Sequence, residues 1–292
     1  MKSISPADYK ITTAFSLADL PTVPAFEADK DEVKNALNDV REQLSELQDT
    51  MYAHNKYSML ICLQGMDTSG KDSLIREVFK EMNPRGVVVH SFKTPSSVEL
   101  EHDYLWRHYI ALPERGKIAV FNRSHYENVL VTRVHPEYLL SENLPEVSDV
   151  SEVSAEFWKT RFEQINNFER HLVQNGTIVI KIFLHLSKEE QRKRLLRRLE
   201  ELKHNWKFSE GDLKERELWS EYMKCYEDAI NNTSKENAPW FVVPADDKKL
   251  CRYITAEIIL QELQKYKDII EPKPDDDIFK NVAAYRKQLE KE

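Results

Sequence analysis

Residues 65–72 read GMDTSGKD, a set of types and spacings suited to holding a phosphate chain. Gly65, Gly70 and Lys71 fit the pattern G-x-x-x-x-G-K, with Thr68 and Ser69 inside the loop. The glycines let successive backbone N–H groups turn toward one point. The helix expected to start near Lys71 adds its positive end, and Lys71 adds a formal charge. Asp72 stands where this pattern carries Ser or Thr, so the hydroxyl that ordinarily meets a metal ion is missing, and Ser73 comes one place too late. Asp67 is a carboxylate inside a cradle for anions. It would repel phosphate unless a cation lay between, which points to Mg²⁺ shared by Asp67, phosphate oxygens and water. A turn-forming Asx side chain is the alternative reading of Asp67.

A second set of chemical residues follows the apolar run KIAVFN (117–122). A metal-holding strand of this type would end in Asp; here Asn122 offers a neutral carbonyl oxygen. Arg123 could neutralise charge on a transferred phosphoryl group. Glu127, Asn128 and Arg133 follow on an expected helix, and Lys93 ends the preceding strand, as candidates for an acceptor site. Helix-end ion pairs are the plainer reading of Arg123, Glu127, Asn128 and Arg133. A third set lies after IVIKIFLHL (178–186): between Arg192 and Lys207 basic residues, Arg194, Arg198 and Lys207 among them, far outnumber Glu200 and Glu201. Ser187 and Glu190 have the spacing of a capping box, so a helix is expected there. Beside a phosphate loop such a segment reads as a lid over phosphates; elsewhere it would be a solvated helix face. His102, Trp106 and His108 are expected on one helix, and no Cys, His or Asp spacing suggests zinc.

The elements that must position these residues are legible as alternation. Five short apolar runs, at 59–64, 87–92, 117–122, 178–186 and 240–245, are separated by helical pattern. That predicts an α/β three-layer sandwich, a five-stranded parallel sheet of the P-loop kinase type with a helical lid at about 187–216. Val33, Leu37, Val40, Leu44 and Leu47 recur at helical spacing within 27–55, an amphipathic helix expected to pack on the sheet or on a sister chain. Residues 1–26, with Pro6, Pro21 and Pro24, read as an extended arm. The expected division is therefore 1–55 arm and helix, 56–268 core with lid, and 269–292 tail, the last core helix spanning about 246–268 and a short helix following from Phe279.

Composition excludes several classes. The chain has 292 residues, 41% hydrophobic and 32% charged, with mean hydropathy -0.61. No apolar run approaches the roughly 20 residues of a membrane span, and the start MKSISPADYK lacks a signal-peptide core. A cytoplasmic protein without membrane or nucleic-acid partners is expected. A net charge of -8 means that any polyanion must be held by a local patch. Cys62, Cys225 and Cys251 are far apart and read as reduced, buried thiols.

Several separate motifs together resemble the polyphosphate kinase type 2 family: GMDTSGKD, HDYLWRHYIALPERGKIAVFNRSHYENVLVTRVHPEYL, WKFSEGDLKER and NTSKENAPWFVVPADDKK, over about residues 50–265. The form FNRSHYENVLV resembles its class III branch, in which Asn at position 122 replaces the Asp of many members. The resemblance implies a P-loop kinase core with a basic lid. It implies reversible transfer of the terminal phosphoryl group of inorganic polyphosphate to nucleotides, AMP to ADP and ADP to ATP, with Mg²⁺ or Mn²⁺. A site accepting both AMP and ADP must grip the base loosely, so guanine nucleotides are expected as further acceptors. Asp67 and Lys71 match the family's Walker A carboxylate and lysine, Arg123 its Walker B arginine, and Arg194 and Arg198 its basic lid positions. The family and the helix at 27–55 together suggest a homodimer or homotetramer. The attacking nucleotide oxygen is already anionic near neutral pH, so no strong general base is required. Two other readings share the phosphate loop: an ATP-dependent nucleoside monophosphate kinase, and a non-catalytic nucleotide or polyphosphate sensor.

Overall fold

The computed structural model describes residues 4–201, 205, 208–273 and 276–291. Five parallel strands lie in the order β2-β3-β1-β4-β5: β1 Ser58–Gln64, β2 Val87–Ser91, β3 Ile118–Asn122, β4 Thr177–His185 and β5 Trp240–Pro244. Each falls within a residue or so of its apolar run. β1 and β4 are buried along their whole length, as strands covered on both faces must be. The strand order reverses direction at β1, which has β3 on one side and β4 on the other. The carboxyl ends of β1 and β3 therefore flank a crevice, the place where open α/β sheets take their ligands.

Helices cover both faces. On one lie α1 (Lys30–His54), α2 (Lys71–Val78) and, later in the chain, α10 (Lys248–Leu263). They share a core with Met59, Ile61, Leu63, Val120, Ile180, Ile182 and Val243. α1 is capped by Asp29, which accepts from the N–H groups of Asp31 and Glu32. Its stripe of Val33, Leu37, Val40 and Leu44 is buried within this chain, against α10, with Leu47 half-buried. That stripe is spent at home and is no argument for a second copy. The other face carries single turns α3 (Ser97–Leu100) and α4 (Trp106–Tyr109), then α5 (Glu127–Val134), α6 (Ala155–Gln174) and α9 (Trp219–Thr233). Between β4 and α9 come α7 (Lys188–Glu200) and α8 (Glu210–Glu217).

The N-terminal arm adds to the sheet edge. Lys10 bridges Phe241, and Ile11 N–H bonds Trp240 O at 2.9 Å. At the far edge β2 stands exposed, Val88 and Val89 included. The last core helix is Lys248–Leu263, shorter than expected. The tail helix α11 (Asp276–Leu289) buries none of its residues. No helix among the described residues is long and apolar enough to cross a membrane.

Candidate active site

The phosphate loop leaves β1 at Gln64 and enters α2 at Lys71. At Gly65, φ is +151°, and a Cβ would meet Ser69 Oγ at 2.9 Å and Leu184 O at 3.0 Å. Only glycine fits there. Thr68 takes φ +65° and Arg123, just past β3, takes φ +62°. For a β-branched residue such as Thr68 this is a strained conformation, costing about 1–3 kcal/mol wherever the surroundings impose it. Both strained residues sit in the crevice.

Lys71 is buried, and its Nζ donates to Gly65 O at 2.6 Å, Met66 O at 3.3 Å and Ser69 Oγ at 3.4 Å. Burial, with the Arg123 charge nearby, pushes its pKa down to about 8. Phosphate in the cradle would favour the charged form again. Asp72, the residue in place of the usual hydroxyl, accepts from Asn122 Nδ2 at 2.7 Å, which ties α2 to the end of β3. Ser73 Oγ turns back to Gly70 O at 3.0 Å, so its hydroxyl closes the helix start.

Arg123 bridges two carboxylates: Nη2 donates to Asp67 Oδ1 at 2.7 Å and Nη1 to Glu127 Oε2 at 3.0 Å. Glu127, with Asp67, outweighs burial and holds the guanidinium firmly protonated. Two cavities meet at this bridge. One, of about 530 Å³, is lined by Glu127, Asn128, Tyr104, Tyr138, Glu215 and Tyr222 among others. The other, of about 590 Å³, is lined by the whole loop from Asp67 to Ser73 and by Arg194, Arg197 and Arg198 of α7. Asp67, Phe92, Lys93 and Arg123 line both.

Their electrostatics differ. The second cavity has nine Lys or Arg side chains against two carboxylates, Asp67 and Asp72. Burial and the charges of Arg194 and Arg197 push Lys248 on its wall down to about 8. The first cavity is richer in carboxylates and aromatic rings. There His135 meets Glu215 at 3.0 Å, and Tyr222 OH donates to Glu215 at 2.5 Å. The backbone carbonyl of Lys93 is held by Arg107 at 2.7 Å, whose guanidinium lies 5.0 Å from the Phe92 ring centre.

The structure departs from the sequence reading at several places. Arg133 lines neither cavity: it pairs with Asp228 and packs over Trp158 and Phe162, because its place in the last turn of α5 faces α9. Arg194 is buried, and all five of its donors are taken. Nε goes to Glu190, Nη1 to Thr68 O and Ser69 O, and Nη2 to Ala245 O and Asp246 O. It clamps the loop rather than standing open to an anion. Ser187 caps α7, accepting from Glu190 N–H at 3.0 Å. The reciprocal half of the capping box is not made. Asp246 takes the Ser187 N–H at 2.8 Å, and the Glu190 carboxylate pairs with Arg194. Arg198 lines the basic cavity and pairs with Asp212 at 2.8 Å. Lys207 lies outside the described residues. Trp106 and His108 share the single turn α4, but His102 lies outside it, its ring stacked on Trp106 with centres 4.0 Å apart.

Arg76, Lys248 and Arg252 also line the basic cavity, outside the segments read as phosphate-binding, and Arg197 joins them from the basic segment. Lys248 and Arg252 are i,i+4 at the start of the helix after β5, the same sheet edge that drew attention to α7. That signal was available. Glu215, Tyr222 and His135 come together only because α8 and α9 pack on α5.

The model of the family Polyphosphate kinase 2 matches residues 27–271. The chain belongs to the Polyphosphate kinase 2 family. The crystal structure of Polyphosphate Kinase 2 from Arthrobacter aurescens TC1 superposes with TM-score 0.89 at 35% identity, over 100% of this chain and 99% of that one. An ADP-polyphosphate phosphotransferase of Rhodopseudomonas palustris is 47% identical over 245 residues, 84% of each chain. An AMP/ADP-polyphosphate phosphotransferase of Meiothermus ruber is 42% identical over 240 residues, 82% of this chain and 84% of that one. The sheet order and the phosphate loop are thus those of a Polyphosphate kinase 2 fold of the P-loop kinase type.

Proposed function

We propose that this chain transfers the terminal phosphoryl group of inorganic polyphosphate to a nucleotide, with the basic cavity holding the donor and the carboxylate-rich cavity the acceptor. One observation carries the reading: two cavities of opposite character meet at Asp67, Lys93 and Arg123. A donor entering along the cations and an acceptor from the other side would place their terminal phosphates end to end there. An acceptor phosphate oxygen attacks the terminal phosphorus. The P–O bond to the chain breaks, and the chain leaves one unit shorter. The attacking oxygen is an anion before the bond forms and the leaving oxygen departs as one, so no proton must move. Catalysis is alignment and charge neutralisation in a loose transition state, with Lys71 and Arg123 supplying fixed positive charge. The reaction runs in both directions.

Mg²⁺ fits this donor set. No group of three or more His, Cys, Asp or Glu side chains converges on a metal position among the described residues. Asp67 and Asp72 both line the basic cavity, however, and a hard cation bound by one or two carboxylates, water and phosphate is the usual Mg²⁺ arrangement. It would neutralise the phosphates where Asp67 otherwise repels them. Mn²⁺ suits the same oxygens. Three free buried cysteines fit a reducing cytosol.

Both ADP and AMP are proposed as acceptors. The relatives' names cover ADP alone in one case and AMP with ADP in the other. The fork lies in whether Lys93 and Arg123 can grip a shorter nucleotide set one phosphate deeper. Purified protein with Mg²⁺, polyphosphate and ADP, and no other donor, is expected to make ATP. With AMP it is expected to make ADP and then ATP. No ATP from ADP overturns the transfer reading; ATP from ADP with AMP untouched overturns only the dual acceptor. A homo-oligomer is proposed from α11, whose Ile278, Val282, Tyr285 and Leu289 form an exposed apolar stripe. Light scattering before and after removal of residues 272–292 tests that.

A further inference from the structure

Three successive carbonyls of the phosphate loop are held by side chains of one helix. Gln191 Nε2 donates to Asp67 O at 3.1 Å, and Arg194 Nη1 donates to Thr68 O and Ser69 O, both at 3.0 Å. The C=O and N–H of a peptide point in opposite directions. Holding these carbonyls toward α7 therefore turns the N–H groups of Thr68 and Gly70 the other way; that of Ser69 is given to Met66 O. The strained φ of Thr68 lies in the middle of this set.

Gln191 carries the connection further. It is 1% exposed, and its Oε1 accepts from Arg216 Nη1 at 2.8 Å. Its amide cannot be reversed, because a carbonyl only accepts and a guanidinium only donates. Arg216 belongs to α8, the helix that also presents Glu215 to the acceptor cavity and Asp212 to Arg198 on the donor side. One buried amide thus joins the helix between the two cavities to the backbone of the loop carboxylate.

We propose that Gln191 is a positioning residue for phosphoryl transfer, making the placement of α8, through Arg216, set the orientation of the Asp67 peptide. This rests on the proposed role of Asp67 at the transfer point. Misplacing a reacting group by about 1 Å costs about 100-fold in rate, so the loss is expected in turnover rather than in affinity.

The test is a double-mutant cycle on the full-length protein. Gln191→Glu keeps the shape and the Arg216 bond but sets an oxygen against Asp67 O; Arg216→Met removes the other half and leaves the amide in place. Gln191→Glu is expected to lower kcat by roughly 10–100-fold with KM for polyphosphate and ADP within about threefold, and Arg216→Met to lower kcat by about tenfold. The double variant is expected to be no slower than Gln191→Glu alone, because both changes break one connection. Effects that multiply, a loss carried by KM, or rates that simply follow a lowered unfolding temperature overturn the proposal. Asp67→Asn is run alongside. If it retains full activity, the role of Asp67 fails and this proposal falls with it. If it is inactive while the cycle is multiplicative, the coupling alone is wrong.

Discussion

Arg123 Nη2 sits 2.7 Å from Asp67 Oδ1, so the carboxylate of the phosphate loop already has a cation before any ligand arrives. An incoming metal ion must share Asp67 with that guanidinium or displace it. Arg123→Ala should therefore do two things at once. Turnover should fall by about 100–1,000-fold, the scale of losing one preorganised group that stabilises transition-state charge. The Mg²⁺ concentration giving half-maximal rate should fall too, since Asp67 is freed for the metal. Initial rates across a Mg²⁺ titration measure both. A higher Mg²⁺ requirement would mean that arginine and metal hold the phosphates jointly, and the competition argument would be wrong.

Lys71 supplies a pH limit. Its pKa is pushed down to about 8 by burial first and Arg123 second. In its proposed role the charged form neutralises phosphate, and that form is lost as pH rises through about 8. In the free protein kcat/KM for polyphosphate should fall on the alkaline side of that value, while kcat should hold to higher pH because bound phosphate favours the ammonium. Lys248 is also pushed to about 8, so the profile should be repeated in Lys248→Met. A limb that vanishes there belongs to Lys248, and the assignment to Lys71 fails.

Arg133 should matter for stability and little for catalysis. It pairs with Asp228 and stacks over Trp158 and Phe162, away from both cavities. Arg133→Leu is expected to lower unfolding free energy by about 1–2 kcal/mol, with KM for AMP and ADP changed by less than about threefold. Urea denaturation and steady-state kinetics give the two numbers. A tenfold rise in nucleotide KM without loss of stability would return Arg133 to the acceptor site.

Asn122→Asp would set a second carboxylate against Asp72, which now accepts from Asn122 Nδ2 at 2.7 Å. Like charges at that separation raise one pKa or demand a cation. KM for polyphosphate should rise severalfold at neutral pH and recover as Mg²⁺ is raised. The ratio of AMP to ADP turnover should fall. Equal ratios in the variant and the parent would remove Asn122 from the choice of acceptor.

What the sequence determined by itself is local. Strand β1, the loop with its glycines, and the start of α2 follow from signals acting over a few residues: apolar runs, positive-φ glycine and N-terminal charge. The same holds for α1, whose stripe and Asp29 cap lie within one helix. Hence the strand–loop–helix form of residues 65–72 is legible, and the resemblance to a family with it. The direction in which each basic side chain points could not. Arg133 and Arg198 look alike in the sequence, yet one packs under α9 and the other lines the basic cavity. Arg194 has the sequence look of an open cation but is bound to carbonyls of the loop and of the residue after β5. The strand order that places β1 between β3 and β4, and so opens the crevice over the phosphate loop, was likewise decided only in three dimensions. The reason is physical. A helix or turn is settled by neighbours within about four residues, but a buried guanidinium goes where unpaired carbonyls happen to converge, and those carbonyls come from segments 50 or more residues away.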